Sequence, residues 1–240
     1  MSEQPEEQYP EEDILPEEFA AQADEEIYPE VEDDYYDEDE EEPPIPIDPG
    51  VVYVMLIVVA LLGAGSLRPD VRFTILWTVL AIVGVLAFVL NDMPLERPTL
   101  RDLLLGMVYG AIIGLPIVAV TASSLKPISN AIFEGLPDGA AFQTLVFTIP
   151  LAETLFFRGV FQEIRGLVLA TAAGSLWTIV LFFPAMNVLQ FPLLALVLGL
   201  SMVFINFVYS YLRQRFGLFA AWTCQIVINI SLLFLSRFAR

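Results

Sequence analysis

The chain has 240 residues, 56% of them hydrophobic and only 17% charged, with a formal net charge of −19. It holds one cysteine, Cys224, and no histidine. That excludes an internal disulfide framework, a Cys/His zinc site and any chemistry that needs an imidazole base.

The charge is unevenly placed. Twenty-two of the 30 acidic residues lie in positions 1–48, where there is no Lys or Arg. The rest of the chain carries eight acids against its 11 bases. Residues 1–50 therefore read as a disordered acidic tail ending in the Pro-rich stretch "PPIPIDPG", because like charges repel and bury too little apolar surface to fold. Such a tail suits a solvated segment or the docking of a basic protein. Its start lacks the basic and apolar regions of a secretory signal.

Residues 51–240 change to long apolar runs, each near the ~20 residues needed to cross hydrocarbon. Seven spans are expected, at about 51–67, 73–91, 102–123, 141–161, 167–189, 191–212 and 217–236. The breaks carry Pro, Gly or charge, the usual marks of helix ends. The weakly polar piece 125–139 reads as re-entrant or interfacial. The fold expected is an all-α integral membrane bundle of about seven transmembrane helices. A cytoplasmic tail puts six Lys or Arg inside against five outside, in the sense of the positive-inside rule. That points to a multi-pass protein of the cell (inner) membrane.

The third span contains Gly106, Gly110 and Gly114 at spacing four. Glycines so spaced line one helix face and admit a close helical neighbour. This is a packing signal.

Ionisable residues inside spans are rare, because hydrocarbon penalises them by a few kcal/mol or more. Glu153 and Arg158 sit in the fourth span, in "ETLFFRGVFQE", with Glu163 and Arg165 at its margin. Asn187 closes the fifth span and Asn206 lies in the sixth, where an interhelical hydrogen bond is its simplest role. Gln225 and Asn229 share a face of the seventh. Residues five apart on an α-helix are displaced by about 140°, so Glu153 and Arg158 are not an ideal pair. Two readings of Glu153 stand at this point. One is an interhelical polar clamp, with Arg158 also snorkelling to the interface. The other is a carboxylate in a low-dielectric pocket, where burial suits it to act as a general base.

These residues resemble the motifs of the CPBP family, the CAAX-protease and bacteriocin-processing intramembrane proteases. The family's first motif is Glu-Glu-x-x-x-Arg, usually continued by Gly. Glu153, Arg158 and Gly159 match it, and Thr154 replaces the second Glu. The second motif is Phe-x-x-x-His. "FPAMN" is similar, with Phe183 matching and Asn187 in the place of His. The third is His-x-x-x-Asn. "QIVIN" is similar, with Gln225 for His and Asn229 matching. The likeness covers about residues 140–235.

The resemblance implies an all-helical membrane bundle and intramembrane endopeptidase chemistry without a metal or other cofactor. By position, Glu153 would activate the attacking water. Gln225 and Asn229 would offer an oxyanion hole, since amides keep their donors. Both motif histidines are amides here, which hydrogen-bond but do not take up a proton near neutral pH. General-base catalysis contributes about 10²–10⁴-fold, so loss of that order is implied. The expectation is a membrane protein of this fold with impaired catalysis, acting as a scaffold or binding a lipidated or transmembrane peptide. Its other partners are membrane lipids, and nucleic acid is not among them. Two alternatives stay open: an active endopeptidase relying on Glu153, and a transporter or assembly factor with Glu153 as a proton or ion site. Serine-, zinc- and aspartate-type intramembrane proteases are excluded. The first two need histidine. The last needs two Asp inside spans, and Asp92, Asp102 and Asp138 fall at edges.

Overall fold

The computed structural model describes residues 48–94, 97–186 and 192–238, and over these the regular elements are all helices joined by short turns. The acidic tail expected before residue 48 lies outside the described residues, and so does Asn187. Five apolar stretches are long enough to cross a membrane: Val71–Leu90, Leu100–Ile132, Asp138–Pro184, Pro192–Phe216 and Leu218–Phe238. The third of these runs 47 residues, more than a single crossing needs. This is an all-α protein built to sit in a bilayer.

Helix α1 (Pro49–Ala64) is shorter. Pro49 suits a first helical position, where its missing N–H is an orphan anyway. The Asp48 side chain caps it, accepting from the Gly50 amide at 2.8 Å. Helix α2 (Pro69–Leu90) likewise begins on proline. Helix α3 (Leu100–Ile132) is capped by Thr99, whose hydroxyl accepts from Asp102 N at 3.2 Å. It runs unbroken through Pro116 and Pro127. The piece read as re-entrant, 125–139, is therefore the end of α3 and the turn after it as far as its last residues. A lone proline deletes one hydrogen bond, and inside a membrane a helix is the default way to satisfy the rest.

The stretch from 138 alternates α and π geometry. It comprises α4 (Asp138–Gln143), π1 (Thr144–Thr148), α5 (Ile149–Glu153), π2 (Thr154–Phe161) and α6 (Gln162–Met186). The π segments show in i→i+5 hydrogen bonds: Ile149 N donates to Thr144 O, and Gln162 N to Phe157 O. Inside α6 the backbone turns sharply at Gly166, with φ +80° and ψ 171°. A Cβ there would meet no neighbour, so the positive φ itself calls for glycine. Helix α7 (Pro192–Phe216) joins α8 (Leu218–Asn229) through Gly217, which has nearly the same dihedrals, φ 90° and ψ 173°. A third π segment, π3 (Ile230–Phe234), and a 3₁₀ turn (Leu235–Phe238) follow.

The core gathers Trp77, Leu80, Phe156, Phe157, Trp177 and Leu181, each at most 2% exposed. Outward faces are apolar too. Leu193, Leu196, Leu200 and Phe204 of α7 are each more than half exposed, as suits contact with lipid. The glycine stripe packs α3 on α8. A Cβ on Gly110 would lie 2.8 Å from Val227 Cβ and 2.9 Å from Cys224 O, and one on Gly114 would lie 2.9 Å from Ser231 Cβ. A Cβ on Gly106 would strike Thr223 Oγ1 and Ala220 O. The packing role read from the sequence is the one the stripe performs.

Candidate functional site

Glu153 ends α5 and is 6% exposed. Its carboxylate collects donors from three helices. Oε1 accepts from Trp177 Nε1 at 3.1 Å and from Trp77 Nε1 at 3.3 Å. Oε2 accepts from Gln225 Nε2 at 2.6 Å. Gln225 Oε1 in turn accepts from the Thr154 hydroxyl at 2.9 Å. The amide is oriented by this chain, because only its N–H₂ serves the carboxylate and only its oxygen serves the hydroxyl. Every donor to Glu153 is neutral. Three of its roughly four acceptor positions are filled.

Arg158 is 1% exposed. The expected 140° offset from Glu153 presumed α geometry. The wider π2 turn follows Glu153 instead, and Arg158 NH1 donates to the Glu153 carbonyl at 3.4 Å. The other end of the guanidinium turns to α7, where NH2 donates to Asn206 Oδ1 at 2.5 Å. Its carbon lies 5.2 Å from the Tyr209 ring centroid and 5.6 Å from that of Phe157, within range for cation–π attraction. Gly174 makes this possible. A Cβ there would stand 2.7 Å from Asn206 Oδ1 and 3.4 Å from Arg158 NH2. Asn206 also donates to Met202 O at 2.9 Å and to Thr178 Oγ1 at 3.4 Å, the interhelical role read from the sequence.

Asn229 lies one turn beyond Gln225, half-buried, and donates to Leu145 O at 3.4 Å. Its first hydrogen bond therefore points to π1 and that of Gln225 to Glu153. Phe183 is buried. At the margin, Glu163 Oε2 pairs with Arg213 NH2 at 3.4 Å, and Arg165 NH2 with both oxygens of Asp48 at 3.0 Å. Of the site residues read from the sequence, Glu153, Arg158 and Gln225 form one cluster, and Asn229 flanks it. Among the described residues, no group of three or more Cys, Asp or Glu is placed to hold a metal ion.

Trp77 and Trp177 escaped the sequence reading. The available signal was the indole N–H, a donor that needs an acceptor when buried, in spans whose one acidic residue away from an edge is Glu153. Arg72 escaped as well. Read as a loop base, it is 3% exposed and donates through NH2 to Leu181 O at 2.6 Å.

Beside the cluster an apolar cleft of about 170 Å³ runs between the π2 and α8 ends, lined by Leu151, Thr154, Leu155, Leu218, Phe219 and Trp222. An apolar cavity of about 150 Å³ is enough to take a benzene-sized group. No family model, curated protein or solved structure matches this chain.

Proposed function

We propose that this protein is a multi-pass membrane protein of CPBP type in which proteolysis has been lost, and that it binds a lipidated or transmembrane peptide or serves as a membrane scaffold. The observation that carries the reading is the 2.6 Å hydrogen bond from Gln225 Nε2 to Glu153. It joins the first and third motif positions, which an enzyme of this type must bring together. It also spends the carboxylate on a neutral donor. A general base needs an open lone pair facing water; three of the roughly four here face two indoles and an amide. Thr154, in the place of the motif's second glutamate, orients Gln225 and takes no proton. The apolar cleft with Thr154 in its wall supports binding of an apolar group next to the cluster.

In this reading the chain crosses the membrane about seven times. The seven segments are α1, α2, α3, the two arms of the long helical stretch on either side of Gly166, α7 and α8 with its extension. The tail and the Gly166 and Gly217 turns face the cytoplasm, across a cell (inner) membrane, and the tail is free to hold a basic partner.

Cleavage of a fluorogenic prenylated CAAX peptide by the purified protein tests this, beside an Asn187→His, Gln225→His double variant. The wild type is expected to be silent and the variant to gain activity. Wild-type cleavage abolished by Glu153→Gln would sink the proposal in favour of an active endopeptidase.

A further inference from the structure

We propose that ordered water occupies the seam between π2, α6 and α7 at the level of Gln162, Thr171 and Ser210, and reaches Arg158 from the end of the bundle marked by Gly166 and Gly217. The inference stands apart from the fate of proteolysis.

Four side-chain atoms in this seam are buried without a hydrogen-bond partner among the described residues: Arg158 Nε, Gln162 Oε1, Thr171 Oγ1 and Ser210 Oγ. Their residues are 1%, 9%, 8% and 0% exposed. The geometry stacks them in two rungs. In the deeper rung Arg158 meets Asn206 across from Gly174. One turn nearer the end, Gln162 follows Arg158 and Ser210 follows Asn206, and Gln162 Nε2 donates to Ser210 O at 2.9 Å. Thr171 precedes Gly174 by one turn on the same face of α6, which sets it opposite this second pair. At 1.5 Å per residue, all three second-rung residues lie about 6–11 Å from the Gly166 or Gly217 turn. That is near the depth where the polar interface gives way to hydrocarbon.

A polar atom left unpaired at membrane depth is costly, so the seam calls for a ligand, and the donor set selects which. Arg158 Nε–H can only donate, Gln162 Oε1 can only accept, and the two hydroxyls do either. A cation would sit against the guanidinium. An anion would meet the amide oxygen. Water donates and accepts, so it alone suits all four. The mouth has the same character. Arg213 lies across it, donating through Nε to Arg158 O at 3.2 Å and through NH2 to Glu163 at 3.4 Å. Beside Arg213 and Glu163 is a pocket of about 10 Å³, roughly the space of one water.

Thiol labelling tests the seam. In a Cys224→Ala background, Ser210→Cys and Thr171→Cys are exposed to a small, charged, water-soluble methanethiosulfonate, and modification is read by intact mass. The comparison is native Cys224, which is 0% exposed, and a Ser231→Cys variant in π3, past the far end of α8. A thiol in contact with water holds more thiolate than a dry one, so Ser210→Cys and Thr171→Cys are expected to react about tenfold faster or more. Rates as slow as those of Cys224 and Ser231→Cys, in variants that unfold like the wild type, would overturn the proposal. Should the variants fail to fold, water-edited solid-state NMR of the wild type decides. Magnetisation from water is expected to build up faster at Gln162, Thr171 and Ser210 than at Ser231, and equal build-up would overturn it.

Discussion

The two sides of α8 are held by opposite means. Toward α3 it meets Gly106, Gly110 and Gly114, where missing side chains let the backbones approach until added carbons would stand below 3 Å from Cys224 O and Ser231 Cβ. Toward the interior it meets Glu153 through Gln225, and contact there is made by polar atoms reaching across. The first side needs only shape. Any helix with a flat face could use it, which is why a glycine stripe says nothing of chemistry. The second side needs a specific donor for a specific acceptor, and each residue in it constrains the others. If the polar side carries the site and the glycine side only the assembly, changes on the two sides should fail in different ways.

The largest effect is expected from Glu153→Leu. It strands the donors of Trp77, Trp177 and Gln225 together, and removes the negative charge five residues before the buried Arg158. A buried donor left unpaired typically costs about 1–3 kcal/mol, and loss of folded protein in a detergent unfolding titration is the measure. A Glu153→Leu, Arg158→Met double variant should recover part of that loss, because the uncompensated charge goes too. No recovery would mean that the two residues are energetically separate, and that the interior side of α8 is a set of independent hydrogen bonds.

On the opposite side, Gly110→Val should cost about 1–3 kcal/mol, the range for overpacking. The added carbons meet Val227 Cβ at 2.8 Å and Cys224 O at 2.9 Å, and one of the two is backbone and cannot turn away. Tryptophan emission sharpens the comparison. Trp77 and Trp177 report on Glu153, so their signal should shift in Glu153→Leu. It should hold in Gly110→Val at denaturant levels where that protein is still folded. An equal shift in both would show that the two sides of α8 are coupled.

The same contrast explains what could be read from the residues alone. The glycine stripe was legible because spacing four on a helix is a one-dimensional pattern that fixes a face. Helical spans were legible for a similar reason: twenty apolar residues in a row have one good solution in a bilayer. The polar cluster was legible only in part. Glu153, Arg158 and Gln225 announced themselves as polar residues in apolar surroundings. Trp77 and Trp177 did not, because an indole in such a run looks like one more apolar ring, and its N–H is invisible until the fold aims it. Glu153 and Arg158 were rightly read as no ideal pair, since Arg158 bonds the Glu153 carbonyl and not its carboxylate, but the π turn between them leaves no clear composition signal. It shows only when Gln162 N is seen to bond Phe157 O. Arg72 was misplaced because charge near a proline reads as loop, whereas its long stem lets the guanidinium cross to Leu181 O.

The smallest effect belongs to the root of the tail. Asp48 caps α1 through Gly50 N and holds Arg165, the residue before the Gly166 turn. The Gly50 amide first, and then Arg165, hold its carboxyl below its ordinary value of 3.8. A depressed carboxyl contributes stability that is complete above that ordinary value and is lost as pH falls through the lower, folded-state one. The contribution should therefore be whole at neutral pH and vanish only in acid. Both groups are well exposed, at 42% and 41%, so salt should weaken the contact even at neutral pH. Asp48→Asn and Asp48→Ala separate its two jobs. Asparagine still caps a helix about as well as aspartate, and alanine does not. Asp48→Asn should unfold close to the wild type at neutral pH and high salt, and differ from it less as the buffer is made acidic. Asp48→Ala should be destabilised at every salt concentration, because alanine offers the Gly50 amide no acceptor. If Asp48→Asn matches Asp48→Ala in high salt, the charge rather than the cap is what starts α1. The link from tail to Gly166 turn would then resemble the interior side of α8, where one polar partner depends on another.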